Sequence, residues 1–474
     1  VISNPYKHRT VRSLVALLCL LPFGLAAAGP PEASNHPLSL QECLKIAVEN
    51  NPNAAAFLHA GRAAMARVGS SRSAYWPTLS LSGDLSKSYA EQSAGPSGRS
   101  AASSAYTSSS AALKGQYTLL DSGERKATVS ASRASYLSAD ATFKANVQDL
   151  ALAVESAYYA LEGDQWRLEV ARETKKQTLF HLDMSKAQQK VGLVPYSDVL
   201  QAATADANAG LGVIQSKSAV TSDRAALAVL MGFPADTGLQ IEEIPSDSPL
   251  PTLPDWETGR DRALKLLPEV QAAFQNTQAL TFSLKAAEAA YRPTITADGA
   301  YGRQDAGSWP NLETWSVGLT LHVPLFTGYA KTYQVIEARE ALSGSEMDLK
   351  STKLSSEKRA YDARTQFATA LQSVVAAKAL VESAQENSDV AEGRYKQGLG
   401  SMLDVVDATT TLQNARLQLI SARLSLLTAQ AGWDRATGKD LLNGLSLQST
   451  ASISNKPGAE EGRVPAPLNG ESEP

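Results

Sequence analysis

Two aspartates stand three residues apart in the run Ser401-Met402-Leu403-Asp404-Val405-Val406-Asp407, and on a helix that spacing puts both carboxylates on one face. Asp404 follows Ser401 at the spacing of a capping box, so a place beside a helix N-terminus accounts for part of its role. Asp407 lies one turn further on, where capping no longer accounts for it. Two carboxylates on one face, copied around a symmetric oligomer, would line a lumen with rings of negative charge. That is the chemistry of a cation-favouring constriction, not of bond making.

Constellations for catalysis are absent. The five histidines, His8, His36, His59, His181 and His322, are scattered, and no pair has metal-ligand spacing. No glycine-rich phosphate loop follows a strand. Cys43 sits with Leu44, Ala47 and Val48 in an amphipathic pattern, which reads as a buried structural thiol. The Glu and Lys residues scattered along the helical stretches read as solvated faces and i,i+4 pairs. No cofactor or metal is expected.

The two aspartates belong to a turn, and the chain carries that turn twice. At an offset of 206, Gly192-Leu193 answers Gly398-Leu399, Asp198-Val199 answers Asp404-Val405, and Ala202 answers Ala408. Earlier, at an offset of 216, Pro52, Pro77 and Gly83 answer Pro268, Pro293 and Gly299. The ten-residue change falls between Gly83 and Leu119, in a Ser/Gly/Ala-rich stretch. Two copies of about 190 residues are therefore expected. The first spans 37–233, with strands at about 77–89 and 108–121 and a helical hairpin at about 124–231. The second spans 256–440, with strands at about 293–304 and 313–326 and a hairpin at about 330–436.

No proline falls between Pro96 and Pro195 or between Pro324 and Pro457, and the intervening text is rich in good helix formers. Long helices are predicted over Glu124 to Val191 and Ala330 to Lys396, each on the order of 100 Å. Shorter return helices are predicted over Ser197 to Leu230 and Ser401 to Ala436. Single helices over Leu40 to Ser73 and Trp256 to Ala290 precede the strands. Gly192 and Gly398 stand where a helix ends with positive φ. Helices this long, with seams rich in Ala and Ser, point to coiled-coil packing.

The strands alternate cleanly. Leu79, Leu81 and Leu85 share one face of the first, and Ala111, Leu113, Gly115, Tyr117 and Leu119 one face of the second. Ile295, Ala297, Gly299 and Tyr301 do so in the third, and Trp315, Val317, Leu319, Leu321, Val323 and Leu325 in the fourth. Runs of about 10 residues with one apolar face fit a transmembrane β-strand. Four strands cannot close a barrel that leaves no edge in lipid, so the chain must oligomerise around a barrel axis.

The first residues read as a secretory leader over 1–28. Lys7, Arg9 and Arg12 precede an apolar run from Leu14 to Leu25, and Ala26-Ala27-Ala28 offers a cleavage site. Val1 reads as a non-methionine start, and Leu18 before Cys19 argues against lipidation. The formal net charge is -4, and without the three cations of the leader it is -7, which argues against a nucleic-acid partner. Only Cys43 survives removal of the leader, so no intramolecular disulfide is possible. No later segment reads as a membrane-spanning helix. Residues 234–255, acidic and proline-rich, read as a linker. Residues 441–474, rich in Ser, Gly, Asn, Pro and Glu, read as a disordered tail.

The run Leu403-Asp-Val-Val-Asp-Ala-Thr-Thr-Thr-Leu-Gln-Asn-Ala415, the turn Gly192-Leu193-Val194 and the duplication resemble the TolC family of outer-membrane efflux and secretion channels, over roughly Pro37 to Asp440. The resemblance implies an α+β membrane protein: a homotrimer with a twelve-stranded transmembrane β-barrel, four strands per chain, continuous with a long α-helical coiled-coil periplasmic tunnel. It implies a place in the Gram-negative outer membrane, in contact with its lipid, with a large periplasmic part. It implies a passive conduit, opened at its periplasmic tip by docking with a periplasmic adaptor (membrane fusion) protein and an inner-membrane ABC or proton-driven transporter. The partner pump would supply the energy, so no cofactor is needed. Asp404 and Asp407 would constrict the tip, and Tyr395 would bond Asp198. Gly400 departs from the pattern, because relatives carry an arginine there that bonds the residue matching Ser197. Gly192, Leu193, Val194, Gly398, Leu399, Gly400 and Ser401 would meet the adaptor. The cargo stays open among drugs, metals and polypeptides. The competing reading, a periplasmic coiled-coil adaptor or structural spacer, leaves the four strands unexplained. An enzyme with coiled-coil arms lacks any catalytic cluster.

Overall fold

The computed structural model describes residues 36–92, 102–244, 249–306 and 309–439. The leader expected over 1–28 and the tail expected over 441–474 lie outside the described residues. The elements run α1 (Leu40–Asn50), α2 (Pro52–Arg72), β1 (Thr78–Gln92), β2 (Ala102–Leu120), α3 (Glu124–Lys190) and α4 (Tyr196–Leu230). They continue with α5 (Trp256–Leu266), α6 (Pro268–Ala289), β3 (Thr294–Ala306), β4 (Trp309–His322), α7 (Ala330–Lys396) and α8 (Met402–Ala436). The long helices α3 and α7 both have 67 residues, and α4 and α8 both have 35. At about 1.5 Å per residue, α3 and α7 are each about 100 Å long.

The helices expected as single pieces over Leu40 to Ser73 and Trp256 to Ala290 are each two. Pro52 and Pro268 cause the breaks, because proline excludes helical backbone at the residue before it. Asn51 and Leu267 are accordingly extended, with ψ of 123° and 126°. Asn51 then caps α2 by accepting from the N–H groups of Asn53 and Ala54. A capping box of Ser39 and Glu42 starts α1.

From Ala360 to Tyr395, the shielded residues of α7 recur in alternating steps of three and four, through Phe367, Val374 and Ala384. That is the repeat of a left-handed coiled coil, and its many alanines allow close helix approach. Just before it, Thr352, Ser356 and Ala360 are spaced four and four. Such an inserted step locally unwinds the supercoil.

The four strands form one antiparallel sheet in the order β1-β2-β3-β4. Register places Leu81, Leu113, Tyr301 and Trp315 in one row across all four strands. The next row is Leu79, Gly115, Gly299 and Val317. This face is bare: Leu81 is 79% exposed and Trp315 78%. The other face carries Ser80, Lys114 and Ser316, and Asp298 accepts there from Thr296 at 3.3 Å and Thr320 at 3.2 Å. β1 and β4 are each paired on one side only among the described residues. β2 begins at Ala102, earlier than expected, because its Ser/Ala start carries no apolar alternation. β4 ends at His322, so Val323 and Leu325 lie beyond it. Pro324, which has no N–H for a ladder, follows at once.

The main core forms where α1, α3 and α4 meet, around Cys43, Val154, Tyr158, Leu161, Leu227 and Met231. The first half of the expected 234–255 linker belongs to it. Leu239 and Ile241 are buried, Ile241 bridges Leu38, and Tyr158 Oη donates to the carbonyl oxygens of Glu242 at 2.7 Å and Leu38 at 3.3 Å. Glu162 is fully buried and accepts from Ile244 N–H at 2.5 Å, and burial pushes its carboxyl up to about 7. The two halves of the chain are joined by a buried charge. Arg435 of α8 pairs with Asp149 of α3 at 2.7 Å and with Glu269 of α6. No described helix is long and apolar enough to cross a membrane.

Candidate functional site at the helical turns

α3 and α7 end alike. Gly192 and Gly398 take φ of +77° and +75°. Leu193 N–H donates to Gln188 O and Gly192 N–H to Gln189 O, both at 3.0 Å. Leu399 N–H donates to Arg394 O at 2.9 Å, and Gly398 N–H to Tyr395 O at 3.0 Å. This paired closure satisfies carbonyls that a helix end leaves free, and the left-handed residue it needs is glycine.

The return helices start differently. At α8, Ser401 N–H donates to Asp404 Oδ2 at 3.0 Å and Asp404 N–H to Ser401 Oγ at 3.2 Å, a reciprocal capping box. The bond from Ser401 N–H, helped by the Ser401 hydroxyl and by Arg394, holds the Asp404 carboxyl below its usual range. At α4 the capping place is Pro195, which offers no side-chain bond. Its ring presets extended backbone instead.

Behind the turns the two hairpins share a small core of Leu182, Val199, Ala202, Tyr395, Met402 and Val405, with Val194 half-buried against it. Tyr395 is only 2% exposed, and among the described residues its hydroxyl has no hydrogen-bond partner. The Tyr395–Asp198 bond implied by the resemblance is therefore not formed here. Burial, with the nearby Asp198 charge adding to it, pushes the Tyr395 phenol up. Asp198 instead accepts from Ser197 Oγ at 3.4 Å. The ring packs among apolar side chains, and a ring so enclosed reaches a polar partner only if the hairpins shift.

Asp404 and Asp407 are both exposed, with Asp407 one turn beyond the cap. Among the described residues nothing hydrogen-bonds or pairs with the Asp407 side chain, while its carbonyl oxygen accepts from Thr411 Oγ1. Leu193 and Leu399 are 74% and 67% exposed at the extreme end. Gly400 is half-buried without a positive φ, and a Cβ there would stand 3.4 Å from Arg394 Cβ and Tyr395 N. A side chain fits with slight adjustment, as at the matching Val194. Arg394 had no motif to announce it, yet its guanidinium donates to Leu399 O at 3.4 Å and braces the second turn. Its signal was only a basic residue in the last turn of a helix. No group of three or more possible metal ligands occurs among the described residues. What the site offers is two exposed carboxylates, two bare leucines and a packed tyrosine.

The family model described as outer membrane efflux protein matches residues 43–233 and 260–439. The chain is 25% identical over 410 residues to outer membrane protein TolC of Escherichia coli (strain K12), covering 83% of this chain and 80% of that one. It is 27% identical over 423 residues to the probable efflux pump outer membrane protein TtgC of Pseudomonas putida, covering 85% and 83%. The solved CmeC outer membrane channel of Campylobacter jejuni superposes with a TM-score of 0.74 at 18% identity, covering 87% of this chain and 88% of that one.

Proposed function

Because the chain belongs to the outer membrane efflux protein family, we propose that it is the exit duct of an export machine, a passive conduit through the Gram-negative outer membrane. The observation that carries this reading is the sheet. A bare apolar face runs across four strands whose outer edges are unpaired among the described residues, at the end of helices about 100 Å long. Three chains would close twelve strands into a barrel with Ser80, Lys114 and Asp298 inside, and would remove every edge from lipid. Below it, two hairpins per chain would give six near-equivalent units around a tunnel, which is the physical use of writing the chain twice.

The tip is the gate in this reading. Asp404 and Asp407 ring the lumen, and Leu193 and Leu399, with Gly192, Val194, Gly398, Gly400 and Ser401, meet a periplasmic adaptor that couples the duct to an ABC or proton-driven pump of the inner membrane. Closure rests on the packing of Tyr395 in the shared core, with Ser197 and Asp198 nearby but not bonded to it. Similarity to the probable efflux pump outer membrane protein of Pseudomonas putida favours efflux as the task.

A planar-bilayer recording of the purified protein tests the reading. The wild type should conduct with cation preference, and the Asp404→Asn, Asp407→Asn double variant should lose most of that preference while keeping its cap, since the cap residue Ser401 is untouched and an asparagine oxygen at 404 can still accept from Ser401 N–H. Unchanged ion preference would remove the two carboxylates from the lumen, and absence of conductance in the wild type would remove the duct.

A further inference from the structure

His181 lies on α3 nine residues before its end, where α3, α4, α7 and α8 converge just above the tip core. It is 6% exposed, and its Nδ1 is buried without a hydrogen bond. It lines a cavity of about 460 Å³ together with Thr178 of α3, Ala202 of α4, and Val406 and Thr409 of α8. On the other side its ring meets Phe180 edge-on at 5.8 Å.

The charges around it are already spoken for. α7 presents Glu392 and Lys396, which pair with each other at 2.5 Å. α4 presents Asp206, held by Lys175 at 2.6 Å and by Thr178. α8 lines the cavity with Val406, Thr409, Thr410 and Gln413 and no charge, its Asp407 being exposed outside it. On α3 itself Asp183 faces Lys186 at 3.8 Å, both open to solvent. A proton arriving on the imidazole therefore has no free carboxylate to meet. The matching place in the second half of the chain, 206 residues on, is Asn387, which is exposed and does not titrate.

We propose that His181 is an acid-sensitive joint: the neutral ring lets the α3/α4 hairpin seat against α7 and α8, and protonation parts the two hairpins near the tip. Burial, the largest cause, holds the imidazole below its usual range, with Lys396 adding to this and Glu392 opposing it. In a parted state the ring is wet and titrates near 6.5. Seating is thus unopposed above about 6.5 and is weakened as pH falls from there towards the lowered value, by up to about tenfold per pH unit. The joint itself stands on the packing alone; only its effect on flow rests on the exit-duct reading.

Hydrogen exchange of the full-length wild type in detergent reads the joint directly. After correction for intrinsic rates, amides at 176–188 and 403–413 should lose several-fold protection between pH 7.5 and 5.5, and the His181→Asn and His181→Gln variants should not. Equal loss in the variants overturns the proposal. Exchange at imidazole C2 in the unmutated protein guards against variants that fold poorly. His181 should titrate below the usual imidazole range and its C2 should exchange slowly, as burial requires, and titration as a solvated imidazole is equally fatal. If exchange behaves as expected but acid leaves bilayer conductance unchanged, the joint stands and its effect on flow is overturned, whereas a wild type that never conducts removes the exit-duct reading and leaves the joint intact.

Discussion

The two turns at the far end of the helices share a backbone and divide the work. Residues 188–193 and 394–399 close with the same pair of hydrogen bonds and the same left-handed glycine. Around that common frame the first turn carries Gln189, Val194, Pro195 and Gln201, and the second Tyr395, Gly400, Ser401 and Asp407. The first turn is stiffened by proline and presents few groups that could regulate anything. The second holds the buried ring, the capping box and the extra carboxylate. Turn geometry is thus set by glycine and chain direction, and side chains were free to diverge once it was secure. The duplicated frame fixes shape, and the second turn holds the residues on which a gate could act.

That contrast is most sharply broken at Tyr395. Tyr395→Ala empties a site in the shared core and should cost about 3–5 kcal/mol of local packing. It should raise tip proteolysis and conductance, whereas Gln189→Ala at the matching first-turn position should do neither. Tyr395→Phe separates packing from hydrogen bonding: with no partner to lose, it should leave stability unchanged or slightly raised. A large loss in Tyr395→Phe, by thermal melting, would mean the hydroxyl has a partner in the assembled channel. Next in size is Ser401→Ala, which removes a cap worth about 1 kcal/mol. Hydrogen exchange should quicken in the first turn of α8 and stay constant in α4, where Pro195 makes no such bond. Smallest is Gly400→Arg. The site tolerates a Cβ, and a new contact to Ser197 or Asp198 at the surface is worth up to about 1 kcal/mol. Bilayer recordings should show open probability reduced by a factor of up to about five.

Much of this architecture could be read from residue types. The proline-free stretches mark the long helices, and α3 runs from Glu124 to Lys190 where Glu124 to Val191 was predicted. The strand alternation places Leu81, Leu113, Tyr301 and Trp315 on one face, and their register puts them in one row. The run Leu403–Ala415 carried the family resemblance, which the family match supports. What escaped is tertiary. Leu239 and Ile241 sit in a segment whose prolines and acids suggest a linker, yet their alternating side chains fit the groove beside Leu38. Pro52 and Pro268 split helices that periodicity alone would join. Tyr395 shows the limit most clearly: its position was legible, but the lack of a partner for its hydroxyl depends on how two distant hairpins pack. His181 carried no motif because its environment comes from four helices far apart in the chain.

The unpaired rims of β1 and β4 bear on supply as well as shape. A sheet with two bare edges and a greasy face is not a component a cell can stockpile, because each lone copy invites mispairing. If three chains must meet, yield at low expression rises with about the third power of their concentration. A chain spoiled at one rim would then be worse than no chain at all. Mixed in equal amount with intact copies, it would leave about one assembly in eight free of it.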